Sequence, residues 1–196
     1  MKTKFIKLIA AISFLNVTAC GLQSIPIAKN TVDAANAEVV NQYQRRSDLI
    51  PNLVEIVKGA AAQEKDTLEA VVNARAKATQ MQLNVSNPED LQRFQQAQGQ
   101  ISAALGKLLS ITENYPELRS LEQFKDLQAQ LEGTENRITV SRSRAIEAIR
   151  NFNNEVTVFP TSIGNSLFFH YQPMPQWGED KDVKQLEQPP KVDFKK

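Results

Sequence analysis

The sequence predicts an all-α fold, a long antiparallel four-helix bundle followed by an extended C-terminal tail. Three observations carry that expectation. Apolar residues recur in alternating steps of three and four over most of 31–160, the period of an amphipathic helix face. The chain has only 7 Gly in 196 residues, and Ala, Gln, Glu and Leu crowd the stretch from 55 to 150, residue types that lose little on entering a helix. No block reads as sheet-forming, and no internal repeat is visible.

The elements follow in chain order. Met1–Lys7 carries Lys2, Lys4 and Lys7 and no acid, Leu8–Leu15 is apolar apart from Ser13, and Asn16–Cys20 closes the segment. A basic start, a short apolar run and a small residue before the cut make the pattern of a secretory signal over 1–19. The run falls short of the ~20 apolar residues that a spanning helix needs. Val17-Thr18-Ala19-Cys20 resembles a lipobox, an aliphatic residue and two small ones before cysteine. The resemblance implies a diacylglycerol thioether on Cys20, then cleavage and N-acylation. More than one chain matters, because a single acyl chain binds membrane only marginally. The alternative is an uncleaved N-terminal anchor with an idle, buried cysteine. Gly21 after the cysteine, in place of Asp, favours the periplasmic face of the outer membrane if the host is Gram-negative. Residues 20–30 contain Gly21 and Pro26 and show no helical stripe, so they read as a lipidated tether.

From Thr31 the helical spacing begins. Val32, Val39, Leu53 and Ala60 share one heptad position, and Tyr43, Ile50 and Val57 share another, giving a first helix over about 31–60. Pro51 lies inside it. Proline removes one backbone hydrogen bond, and since the stripe resumes in register it predicts a kink rather than an end. Gln63–Leu83 carries on with Leu68, Val71, Val72, Ala78 and Met81, either as a second helix or as the bent end of the first. Asn87-Pro88-Glu89-Asp90 is a helix start: a capping side chain, proline at the first position, then acids at the positive helix end. The third stripe is Leu91, Phe94, Ile101, Leu105 and Leu108, ending near Glu113. Tyr115-Pro116 marks a turn, and Ser120-Leu121-Glu122-Gln123 reads as a capping box. The longest stripe follows: Phe124, Leu127, Leu131, Thr134, Ile138, Ser141, Ala145, Ile149, Phe152, Val156 and Phe159. It holds for about 35 residues, roughly 53 Å of helix, and Phe159-Pro160 ends it. Four amphipathic segments with short connections bury their stripes most simply as an antiparallel bundle over 31–160.

The tail, 161–196, is expected to be extended. Phe168, Phe169, Tyr171 and Trp177 fall close together, interrupted by Pro173 and Pro175. They form either an arm packed back along the helices or an aromatic docking patch for membrane or protein. His170 among them reads as a packed ring edge. From Asp180 the chain is charged and proline-containing, a mobile composition.

Charge and residue types narrow the chemistry. Loss of the three leading lysines takes the net charge from +1 to −2, and the remaining Lys and Arg are interspersed with Asp and Glu. That offers no footprint for nucleic acid. Cys20 is the only cysteine and His170 the only histidine. No disulfide, metal site, cofactor or catalytic residue is therefore expected.

Several unlinked motifs are recognisable together. Arg45-Arg46-Ser47-Asp48-Leu49-Ile50-Pro51-Asn52-Leu53-Val54-Glu55, Glu113-Asn114-Tyr115-Pro116-Glu117-Leu118-Arg119 and Leu131-Glu132-Gly133-Thr134-Glu135-Asn136-Arg137-Ile138 resemble signatures of the LemA family, as do Phe159-Pro160 and Pro190-Lys191-Val192-Asp193-Phe194. The resemblance covers nearly all of 31–196. One departure is Ala145-Ile146, where the family usually has Tyr-Asn. The resemblance implies a four-helix bundle held at a membrane by its N-terminus, without an assigned activity. Some members look linked to a membrane metalloprotease, which points to envelope quality control as one setting.

Arg46 shares the heptad position of Val32, Val39, Leu53 and Ala60, so it points at or beside the core. A guanidinium keeps its charge there and needs carboxylate partners. The candidate polar network is Arg45, Arg46, Asp48, Asn52, Glu55, Glu132, Glu135, Asn136 and Arg137. It serves fold specification, a partner's polar group or, least plausibly, catalysis. The expected function is a lipid-anchored, non-enzymatic scaffold or adaptor of the bacterial envelope, with the membrane and an unidentified envelope protein, a membrane protease among the candidates, as partners. A receptor or enzyme using the Arg46/Asp48/Glu135 neighbourhood, and a membrane-organising role, are the alternatives.

Overall fold

A computed structural model describes residues 2–81 and 83–178, with side chains from Gln23 onward. The side chain of Cys20 and the charged stretch from Asp180 lie outside that description. The described residues are all-helical, without strands: α1 (Lys2–Ala60), α2 (Lys65–Thr79), α3 (Pro88–Thr112), α4 (Pro116–Ser120), α5 (Glu122–Thr157), α6 (Thr161–Gly164) and a π turn (Asn165–Phe169).

α1 and α5 form an antiparallel pair, fixed in level by Ser24 Oγ donating to Glu155 Oε2 at 2.8 Å near one end and Arg46 meeting Glu135 midway. α2 and α3 form a second, shorter pair against the C-terminal half of α1. α1 and α2 are separate helices, joined by the turn 61–64. The Tyr115 hydroxyl donates to Glu64 Oε1 at 2.8 Å and accepts from Gln63 Nε2 at 3.1 Å, which ties this turn to the one preceding α4.

Helix ends follow the residues that terminate them, with one exception. Asn87 caps α3, its Oδ1 accepting from the Glu89 N–H at 2.9 Å, with Pro88 in the first turn. The capping box expected at Ser120 does not form. Ser120 Oγ turns back to the Glu117 carbonyl at 2.7 Å, and Leu121 occupies the N-cap of α5 with no side-chain bond. Ser120 is already the last residue of α4, so its hydroxyl satisfies the helix behind it rather than the one ahead.

α1 runs unbroken through Pro51. Proline has no N–H, so the carbonyl of Ser47, four residues earlier, loses its helical donor. Arg75 of α2 supplies a replacement, Nε to Ser47 O at 2.8 Å. The same proline that weakens α1 thus provides a docking point for α2.

Two expectations require correction. Residues 23–30 are not an irregular tether but part of α1, with Ile25 fully buried. Ile25, Val32 and Val39 repeat every seven residues, so the stripe begins earlier than 31 and carries the helix past Pro26. The start of the tail is likewise helical rather than extended, with α6 and the π turn packed against α1.

Two apolar cores result. One gathers Ile50, Leu53 and Val57 with Leu68 and Val71, Ile101 to Leu108, and Phe124 to Leu131. The other joins Ile25 to Tyr43 with Ile138 to Val156, Leu91, Phe94 and Trp177. The α2–α3 pair reaches this second core only with Leu91 and Phe94 at the start of α3, and Met174 and Trp177 from the following segment pack beside them. Trp177 inserts beside Tyr43 and Phe94, its Nε1 donating to Asn36 Oδ1 at 2.8 Å. Phe169 stacks on Tyr171, which meets the edge of Phe152.

Candidate functional site: a polar groove between two cores

Between the two cores α1, α3 and α5 each contribute a polar level. On α1 it lies between Tyr43 and Ile50, on α3 between Phe94 and Ile101, on α5 between Leu131 and Ile138. Its centre is Arg46, whose side chain is 1% exposed. Nη1 donates to Glu135 Oε1 at 2.5 Å and Ser102 Oγ at 2.8 Å. Nη2 donates to Gln98 Oε1 at 2.7 Å and the Gln98 carbonyl at 3.2 Å. The guanidinium carbon sits 5.2 Å from the centre of the Tyr43 ring, a cation–π distance.

The level is not sealed. It forms the floor of a groove of about 330 Å³ lined by Tyr43, Arg46, four glutamines (Gln92, Gln95, Gln96 and Gln98), Glu135 and Arg142, with Ser102, Thr139 and Gly178 at its edges. Glu135, 46% exposed, forms part of its wall. Gly178 closes one end, its N–H donating to Gln95 Oε1 at 2.9 Å. Its φ of 85° is open to glycine, and a Cβ there would come within 3.4 Å of Arg142 Nη2. Among the described residues, the Nε atoms of Arg46 and Arg142 are buried without a hydrogen-bond partner.

Burial pushes the Tyr43 phenol above its ordinary value, against the Arg142 and Arg46 charges that pull it down. It is a neutral donor at physiological pH. The groove therefore offers two cations, one carboxylate, a phenol and a wall of primary amides. Amides both donate and accept, and such a set suits a polar or zwitterionic group better than a bare anion. Among the described residues its lining holds one carboxylate, Glu135, and no thiol or imidazole.

Of the residues predicted for the network, the structure brings together Arg46 and Glu135. Asp48 is exposed and accepts from Gln44, and Glu132 accepts from Gln128 on the outer face of α5. Arg45, Asn52, Glu55, Asn136 and Arg137 are also exposed, and Asn136 and Arg137 border a different hollow with Arg144. The remaining contributors, Gln98, Ser102, Arg142 and Tyr43, come from other motifs or other helices. A signal for Gln98 was present: it falls between Phe94 and Ile101 on the buried stripe of α3. His170, read as a packed ring edge, is exposed instead, because it takes the left-handed position, φ 57°, that ends the π turn.

Comparison with known proteins agrees with the motifs. The LemA family profile matches residues 35–194. Two magnetosome proteins of Paramagnetospirillum magneticum, MamQ 1 and MamQ 2, are each 25% identical to this chain, covering 64% of it and 53% of the relative. The chain thus spans about half the length of the curated relatives it matches. Among the described residues, no helix is long and apolar enough to cross a membrane.

Proposed function

Because the chain belongs to the LemA family, we propose that it is a membrane-tethered, non-enzymatic adaptor of the bacterial envelope that takes a polar segment of a partner protein into the Arg46–Glu135–Arg142 groove. The two antiparallel helix pairs are read as one four-helix bundle, and the lipobox-like Val17–Cys20 as its lipid tether. Work in envelope quality control, beside a membrane protease, is the setting this reading favours. The two relatives carry magnetosome protein names, and the membrane association in this reading accords with that kinship.

The observation that carries the reading is the open groove itself, lined by half-exposed Glu135, half-buried Arg142 and a row of glutamines. Amides and mixed charges on a helical frame supply recognition of a polar group. A photoreactive residue in place of Gln96, on the exposed rim, tests it in cells. A discrete protein adduct at Gln96, lost on Arg142→Ala and absent from a probe at Val140, is expected. Equal, Arg142-independent adducts at both positions would sink the proposal.

A second reading rests on the volume of the same groove, which suits a small polar ligand. A thermal shift of the purified chain with amino acids or short peptides, abolished by Arg142→Ala, separates it from the protein-docking reading.

A further inference from the structure

One end of the helix assembly carries an apolar surface that the groove does not use. Past the end of α5, Phe159 is 72% exposed, Leu167 61% and Phe168 58%, with Val158 and Ile163 beside them. Val158 and Phe159 lie in the link from α5 to α6, while Ile163, Leu167 and Phe168 belong to α6 and the π turn, which pack on α1. Buried Asn165 holds this segment in shape. Its Nδ2 donates to the carbonyls of Val156 and Tyr171, and its Oδ1 accepts from the Tyr171 N–H. The exposed rings and leucine are therefore presented by a pinned loop.

Composition sharpens the point. From Val156 through Gly178 the sequence holds no Asp, Glu, Lys or Arg, although 23% of the chain is charged. An uncharged surface segment rich in large apolar side chains is a poor match for water and a good one for a lipid interface.

The level of this end is fixed by the Ser24–Glu155 hydrogen bond. Cys20 precedes Ser24 by four residues on α1, and Phe159 follows Glu155 by four. Cys20 lies about 6 Å beyond that bond along α1, one helical turn at 1.5 Å per residue, and Phe159 lies just past the end of α5, on the same side of it. The apolar run Leu8–Leu15 lies further out along the same helix. With the anchor at Cys20, the tether brings the bilayer to the end of the helix pair that carries Phe159.

We propose that Val158, Phe159, Ile163, Leu167 and Phe168 form a membrane-inserting wedge, seated in the acyl–headgroup boundary of the bilayer that holds the N-terminus. This rests on the tether reading above and adds to it. The wedge is a second contact that fixes the rod's standing orientation, where the tether alone leaves it free to pivot. The end of the second core near Ile25 and Val156 is thereby brought to the bilayer, and the groove is held away from the surface.

Depth-dependent quenching tests the wedge. Full-length chain purified from membranes is reconstituted into phosphatidylethanolamine–phosphatidylglycerol vesicles whose acyl chains are brominated at graded depths. Buried Trp177, the only tryptophan, gives the unquenched baseline. F168W and, independently, L167W are expected to show added emission that is quenched most by the shallow bromines, at a depth of about 5–10 Å. V140W, midway along α5, is expected to stay unquenched. Both wedge positions are exposed, so neither variant removes a core contact. Vesicle flotation reads the tether separately. A chain that fails to float overturns the tether and the wedge together. One that floats while F168W and L167W escape quenching overturns the wedge alone. Shielding of these positions from aqueous quencher in native membranes but not in the vesicles gives the patch to a protein and also overturns it.

Discussion

Removing Glu135 is expected to destabilise the protein more than removing Arg46, although the two form one ion pair. The asymmetry comes from burial. Arg46 is 1% exposed and Glu135 46%. Glu135→Ala leaves a guanidinium buried with only neutral acceptors, Gln98 and Ser102. Stripping one partner from a buried pair costs about 3–5 kcal/mol. Glu135 is half in water, and screening of such a partner lowers the figure to about 2 kcal/mol. Arg46→Met removes the buried charge instead. The freed carboxylate turns to solvent, and what remains is the orphaned Gln98 side chain, worth about 1 kcal/mol. At roughly 2–4 °C per kcal/mol for a chain of this size, Glu135→Ala lowers Tm by about 4–8 °C and Arg46→Met by about half that. The double variant behaves like Arg46→Met, because the stranded charge is gone. Thermal melts followed by far-ultraviolet circular dichroism measure all three. An Arg46→Met loss equal to or larger than that of Glu135→Ala would show that the guanidinium is stabilising in itself, and would refute the asymmetry inferred from burial.

Three other outcomes follow from the same structure. Arg75→Ala strands the Ser47 carbonyl and is expected to cost about 1.5–3 kcal/mol, the range for a bond to a charged group; the cost shrinks in a Pro51→Ala background, where the helix regains its own donor, as denaturant melts of the cycle would reveal. The raised Tyr43 pKa means the folded state holds the phenol proton more tightly than the unfolded one, whose value is about 10. That stability is complete below pH ~10 and drains away as pH climbs through the folded value; wild type therefore loses more denaturant resistance on alkaline titration than Tyr43→Phe does. Gly133→Ala, inside α5, puts a Cβ in ordinary contact with Arg137 at 3.8 Å. It is expected to raise stability by about 0.5–1 kcal/mol, seen as a higher urea midpoint.

Helices were legible because their signals are local. The Asn87-Pro88 start, the α5 stripe and the stop before Pro160 are set by neighbouring residues and by burial of one face. What failed depended on tertiary context. Pro26 and Gly21 advertised a tether, but a buried Ile25 outweighed them. Ser120 had capping-box partners in sequence and spent its hydroxyl elsewhere. Within the site, the heptad placed Arg46 in the core and the need for a counterion pointed to carboxylates. Choosing Glu135 over Asp48, Glu55 and Glu132 required the level of α5 against α1. Gln98 and Ser102 required knowing that α3 faces Arg46, and Arg142 required the Tyr43 ring between them. Residues gathered from three helices leave no spacing to read.

The polar level does two separable jobs, and only one of them needs an opening. Sliding α1 by one heptad against α5 would set Arg46 at the level of Gln128 or Arg142 in place of Glu135, and Val39 or Leu53 against Glu135, so a single buried cation penalises wrong alignments of the pair. Alignment alone would be served by a closed level in which every donor is satisfied, since half-satisfied networks are more costly than apolar packing. In this protein the groove stays open, Glu135 remains half in water, and the Nε atoms of Arg46 and Arg142 have no partner among the described residues. The alignment function therefore accounts for Arg46, Glu135 and Gln98, while Gln92, Gln96 and Arg142 on the groove wall take no part in the Arg46–Glu135 contact. On the proposed reading the exposed amides and Arg142 meet a polar group of a partner, so Arg142→Ala, and not Arg46→Met, is the variant expected to separate recognition from folding.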